Sequence, residues 1–190
     1  ANAQLAGMKV SDILSKFKVR YVATTDDPVS PLSSHGTYGD TRVCPTFRPD
    51  RILSLDPTAL DELAAASGIA VDTLDGLKAA LEARLDYFVS HGCGITDHGM
   101  DFLPGADVGE KTAAALYARG CELGGNEKAV VSAHLLHFLA GLYKQRDLVM
   151  QLHFATFRNV NSAAFPVVGR DAGYDIMRGS VDADALVRFL

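Results

Sequence analysis

The stretch Ile95-Thr96-Asp97-His98-Gly99-Met100-Asp101 sets an acid beside an imidazole at the point where an apolar run stops. Three other apolar runs end in the same way. Residues 19–23 give way to Thr24-Thr25-Asp26-Asp27-Pro28, residues 42–46 to Phe47-Arg48-Pro49-Asp50, and residues 148–152 to His153-Phe154-Ala155-Thr156-Phe157-Arg158-Asn159. An aspartate so placed is a candidate general base for removing a proton next to a carbonyl. The competing reading has Asp97 capping the turn that follows. Neighbours in an extended segment leave on opposite sides, so only one of Asp97 and His98 points straight into a shared site. His98 is a candidate acid, metal ligand or hydrogen-bonding group behind the site. His153 ends the strongest strand pattern and is a candidate metal ligand or substrate contact, weighed against a satisfied core histidine. Arg48 and Arg158 each present a planar fork of donors that matches a carboxylate, which suggests an anionic small molecule; the plainer alternative is an ion pair with Asp50 or Asp26.

These groups need elements to hold them. Leu74, Leu77, Leu81, Leu85 and Phe88 recur at helical spacing, with Asp72 positioned as an N-cap and Gly92 just past the end. A second helix is predicted over 126–146, with Val131, Leu135, Phe138 and Leu142 as its apolar stripe and Asn126 as its cap. Shorter helices are expected over 58–66, 109–118 and 182–190, and another up to Phe17, leading into the first strand. Strands alternating with helices predict an α/β fold, a parallel sheet with right-handed crossovers whose ligands sit at the carboxyl ends of the strands. The Pro-, Ser- and Gly-rich interval between Asp27 and Arg42 holds too little helical pattern for an ordinary crossover, so it reads as a compact loop or a trimmed connection. No internal repeat or linker divides the chain, and a single domain is expected.

Composition narrows the partners. A net charge of -5 over 190 residues, with no basic block, argues against nucleic acid. No apolar run approaches the roughly 20 residues that cross a bilayer. The first ten residues lack the basic and long apolar regions of a signal peptide, so a cytoplasmic location is the default expectation and no membrane partner is implied. Cys44, Cys93 and Cys121 are odd in number and widely spaced, which suits neither a disulfide framework nor a zinc site; Cys44 and Cys93 read as small buried hydrophobes. His134 and His137 lie three apart on a helix with no acid completing the pair on that face, which favours a structural role. His91 beside Gly92 suits a helix C-terminus. Nucleophile elbow, phosphate-cradling loop and His-x-His pair are all missing.

Taken in order, Thr24-Thr25-Asp26-Asp27-Pro28, Pro45-Thr46-Phe47-Arg48-Pro49-Asp50, His91-Gly92-Cys93 with Thr96-Asp97-His98, and Gln151-Leu152-His153 with Phe157-Arg158-Asn159 resemble the uronate isomerase family. Val168-Gly169-Arg170-Asp171-Ala172-Gly173-Tyr174-Asp175 is similar to the stretch that follows the family's Arg-Asn. The resemblance implies a (β/α)8 barrel of the amidohydrolase superfamily that interconverts glucuronate with fructuronate, and galacturonate with tagaturonate, through a cis-enediol. It implies a divalent metal, commonly zinc. It further implies that Arg48 grips the uronate carboxylate, that Asp97 moves the proton with His98 beside it, and that His153 lies at the metal or the substrate oxygens. Arg158, Asp26 and Thr25 would support the pocket.

Family members are well over twice this length, begin with a His-x-His pair and end with a strand-end Asp, none of which is matched. The chain therefore reads as the middle of a barrel with about four of its eight strands, a partial (β/α)8 barrel expected to be inactive alone and to associate, copies of itself being one candidate partner. Arg170 replaces the usual proline, and Val160 the second asparagine of the Arg-Asn-Asn run. Two other readings stay open at this stage: a metal-dependent hydrolase on the same barrel, and a non-catalytic fragment.

Overall fold

A computed structural model describes residues 7–100, 105, 107–177 and 183–190. The four apolar runs form strands Tyr21–Ala23 (β1), Thr41–Cys44 (β3), Ile95–Met100 (β4) and Val149–Phe154 (β5), with Gly36–Tyr38 (β2) between the first two. β1 pairs with β3 in parallel, and β4 with β5 in parallel. A parallel bridge Asp26–Phe47 extends the first pair, and a parallel bridge Phe47–Thr96, reinforced by Asp97 N–H donating to the Phe47 carbonyl at 3.0 Å, joins it to the second. The order across the sheet is thus β1, β3, β4, β5, all pointing the same way, and the polar ends of the four runs gather along one edge.

The interval between Asp27 and Arg42 is a compact loop with a hairpin inside it. β2 runs antiparallel along the early half of β3, and β4 takes over that edge beyond it at Phe47. The loop ahead of β2 is pinned from the helix layer: buried Arg84 donates to the carbonyls of Pro28 at 2.6 Å and Ser30 at 2.8 Å, and the Tyr87 hydroxyl to that of Pro31 at 2.6 Å. Two side chains of one helix thereby do what a crossover helix does elsewhere, tying the connection to the body of the fold.

Helices Asp50–Leu53 (α2), Pro57–Ser67 (α3), Leu74–Ser90 (α4), Glu110–Tyr117 (α5) and Gly125–Gln145 (α6) follow the expected stripes, α2 excepted, which four residues are too few to signal. The caps differ from expectation. Thr73, not Asp72, caps α4, its hydroxyl accepting from Gly76 N–H at 3.1 Å. Asn126 lies inside the first turn of α6; Gly124 precedes that helix, and its N–H is taken by the Glu127 carboxylate at 3.0 Å. The opening helix is Val10–Lys16 (α1), with Lys9 in the N-cap position. Ala183–Phe189 closes the chain as a helix, while Asp182, where it was expected to begin, lies outside the described residues.

The core lies between sheet and helices. Leu77, Leu81, Leu85 and Phe88 of α4, and Val131, Leu135 and Leu139 of α6, are fully buried with Phe47 and Ile52. Each side chain of that size contributes on the order of 2 kcal/mol by leaving water. Phe88 meets Phe47 edge-on, ring centroids 5.1 Å apart, so the strand end carrying Arg48 is anchored one residue earlier in the core. Beyond β5, Thr156–Phe157 (β6) pairs antiparallel with Ile176–Met177 (β7), which folds residues 158–175 into a loop closed at its base. Among the described residues, no helix is long and apolar enough to cross a membrane.

Candidate active site at the strand ends

The alternation of β4 sorts its residues onto two faces. Thr96 and His98 are fully buried on the helix side, where the His98 ring lies 5.5 Å from that of Tyr143. Both His98 ring nitrogens lack a hydrogen-bond partner among the described residues. Burial, followed by the charges of His153 and Arg48, pushes its pKa down to about 3, so this imidazole is neutral at physiological pH. Asp97 and Gly99 face the other way, into a group drawn from three strand ends.

Asp97 is the centre of that group. Its Oδ2 lies 3.3 Å from Arg48 Nη1, and its Oδ1 lies 2.8 Å from His153 Nε2. The second approach falls outside hydrogen-bond geometry, so buried Oδ1 has no donor among the described residues. Arg48 is steered by a second acid two residues on: its Nε donates to Asp50 Oδ2 at 2.7 Å. Asp50 also accepts from Gly99 N–H at 3.1 Å, which ties the loop after β3 to the end of β4. Burial raises the Asp50 pKa above the usual carboxylate range, against the pull of Arg48 and the Gly99 N–H. For Arg48 burial opposes the charged form, but Asp50 and Asp97 outweigh it and hold the guanidinium above its ordinary value.

Gly99 is required by this packing. A Cβ there would fall 2.3 Å from Arg48 Nη2 and 2.7 Å from His153 Cε1. A glycine inside a strand pattern is a known mark of such close approach, and that signal was present in the sequence. Asp50 is the other member not anticipated as part of the site; it entered the sequence reading only as an ion-pair partner for Arg48, which it is.

Over these groups opens a pocket of about 620 Å³ lined by polar side chains. Arg48, Gly99 and His153 form its floor, and Arg158, Asn159, Arg170 and Asp171 of the 158–175 loop its wall. Arg158 pairs with neither Asp50 nor Asp26 but with Asp175, Nη1 to Oδ2 at 2.8 Å. Asp175 also accepts from Asn159 N–H at 2.9 Å, and this backbone bond first, with Arg158 next, lowers its pKa. Ala155, Asn159 and Asp171 all adopt left-handed backbone (φ 61, 54 and 58°), which non-glycine residues rarely do and which concentrates where a chain is bent to serve a site.

Asp26 and Thr25 are not brought to this pocket. The Asp26 carboxylate accepts from the Thr24 hydroxyl at 2.6 Å and lies 3.3 Å from His35 Nε2, while Thr25 is exposed. His134 is not without acids either: Asp107, 2.7 Å from its Nδ1, and Glu110, 3.3 Å from its Nε2, reach it from the segment before and the start of α5. Cys44 and Cys93 are free and buried, and burial pushes the Cys93 thiol up, away from the reactive thiolate.

The metal implied by the resemblance can be tested against these donors. Asp97 Oδ1, buried and without a donor among the described residues, lies 2.8 Å from His153 Nε2, and both atom types suit zinc. Among the described residues, no group of three or more His, Cys, Asp or Glu could hold an ion, whereas zinc takes three protein ligands and an open position, or four. The pair fits part of a ligand set.

A sequence model of glucuronate isomerase matches residues 1–190. The chain belongs to the glucuronate isomerase family. Uronate isomerases of Shouchella clausii and Yersinia enterocolitica are 34% and 33% identical to it over 95% and 94% of its residues, respectively. The chain spans only about 41% and 40% of their lengths. The crystal structure of uronate isomerase from Thermotoga maritima superposes with a TM-score of 0.89 at 28% identity, covering 99% of this chain and 44% of that one. Glucuronate isomerase from Caulobacter crescentus gives a TM-score of 0.87 at 27% identity, covering 99% of this chain and 42% of that one.

Proposed function

We propose that this chain carries the substrate-handling strands of a uronate isomerase, four consecutive strands of a (β/α)8 barrel, acting on D-glucuronate and D-galacturonate. The observation that carries the reading is Asp97, held between Arg48 and His153 on the floor of a pocket whose wall adds two more guanidiniums. Aldose-ketose isomerisation moves one hydrogen from C2 to C1 and one proton from O2 to O1. Asp97 takes the C2 proton as the C2–H bond breaks, giving a cis-enediol, and returns it to C1. Arg48 aims the Asp97 carboxylate. His153 lies beside Asp97 at the O1 and O2 end of the enediol.

His153 and Asp97 would supply part of the ligand set of a divalent metal, zinc by donor type, which when bound would polarise the sugar carbonyl. His98, neutral and buried, supports β4 from behind and meets no substrate.

The test is conversion of D-glucuronate to D-fructuronate by the intact protein supplemented with divalent metal. Ketose formation without net hydrolysis is the expected result. Failure with both hexuronates, or hydrolysis of an amide or ester in their place, would favour a metal-dependent hydrolase on the same barrel.

A further inference from the structure

The three guanidiniums of the pocket differ in how much of their charge is already answered. Arg48 has Asp50 at 2.7 Å and Asp97 at 3.3 Å, and Arg158 has Asp175 at 2.8 Å and Asp171 at 3.7 Å. An anion approaching either meets a compensated cation with carboxylates beside it, which repel it. The Arg170 side chain makes no hydrogen bond or ion pair with any described residue, yet it lines the same pocket. Its backbone position is set by its neighbours. Gly169 (φ 75°) and Asp171 (φ 58°) flank it in left-handed backbone. Asp171 N–H donates to Asn159 Oδ1 at 3.3 Å, and Val160 N–H to the Tyr174 carbonyl at 2.9 Å, binding the two limbs of the loop together.

We infer that Arg170 is the anchor for the substrate's carboxylate, the residue that selects a hexuronate over a neutral sugar. The substrate then lies with C6 toward the 158–175 loop and its reacting C1–C2 end toward Asp97 and His153. Arg48 becomes a positioning residue for Asp97. This assignment rests on the isomerase reading of the same pocket and adds to it the direction in which the sugar binds.

D-glucuronate and its neutral carboxamide, D-glucuronamide, test it in the intact protein, with Arg170→Ala and Arg170→Lys beside the unaltered chain. Loss of one charge-assisted anchor is expected to raise KM for glucuronate roughly ten- to a hundredfold, with kcat within a few-fold, and to leave glucuronamide unchanged; Arg170→Lys recovers part of the loss. An unchanged glucuronate-to-glucuronamide preference in Arg170→Ala overturns the inference while the isomerase reading stands. If the unaltered protein turns over neither hexuronate, the isomerase reading fails, and calorimetric binding of the same two sugars decides the anchor separately. Glucuronate binding weakened at least tenfold by Arg170→Ala, with glucuronamide unaffected, supports it. Equal weakening of both, or no binding of either by the unaltered protein, overturns it. Arg170 is exposed, so a melting temperature matching the unaltered protein separates a binding effect from misfolding.

Discussion

Two consecutive residues of β4, Asp97 and His98, carry titratable groups into opposite environments. Asp97 enters a cluster in which another acid, an arginine and a histidine converge beneath an open pocket. His98 enters an aromatic wall, is fully buried and stays neutral. The strand delivers both side chains with equal ease; what separates chemistry from packing is the next layer, counter-charges and solvent on one face and α6 on the other. Neighbours in sequence are therefore not neighbours in space here, and the histidine that approaches Asp97 is His153, from the neighbouring strand.

The contrast can be broken most strongly at Asp97. Asp97→Asn keeps the shape but removes the base and the charge that Arg48 and His153 face. Isomerisation is expected to fall about a thousandfold, a usual size for loss of a general base, while the melting temperature moves little. Gly99→Ala comes next: a methyl group 2.3 Å from Arg48 Nη2 and 2.7 Å from His153 Cε1 must push them apart. Misplacement of that size costs about a hundredfold in kcat, with thermal stability reporting whether the strand itself has been disturbed. Asp175→Asn removes the ion pair of Arg158 at the base of its loop; because Arg158 is well exposed, the melting temperature is expected to fall only slightly, and by less at high salt.

His98 should have the smallest effect on turnover, and it sharpens the contrast through pH. Its folded pKa lies below the unfolded value near 6.5, so the unfolded chain takes up a proton first as the solution is acidified. The stability tied to the neutral ring is complete above about pH 6.5 and is lost as pH falls toward 3, by at most about 5 kcal/mol from this one site. His98→Leu is expected to flatten the acid limb of a denaturation series and to leave kcat within about threefold. A thousandfold loss of activity in that variant would place catalysis on the wrong face.

Much of the frame was legible in the sequence. Residues 19–23, 42–46 and 148–152 announce strands as short apolar runs, and the Leu and Val stripes of α4 and α6 announce helices because only one face is buried. Asp97 and His98 are both polar, so no apolar alternation marks which of them faces the core. The cap at Thr73 was missed because Asp72 and Thr73 are both competent caps and a one-residue shift of the helix start is invisible in a string of letters. The hairpin strand Gly36–Tyr38 was missed because it is short, exposed and held through its partner's hydrogen bonds rather than by a side-chain pattern. Asp107 and Glu110 reach His134 from a separate segment, a contact that helical spacing on α6 alone could not reveal.

The most direct test of the account is exchange of the C2 proton of D-glucuronate, followed by proton NMR in deuterated water, with the intact protein and its Asp97→Asn variant. The account predicts loss of the C2–H signal with the unaltered protein, and at least a thousandfold slower loss in the variant, which still binds the sugar. Exchange at the unaltered rate in Asp97→Asn would contradict it and assign the proton to another group.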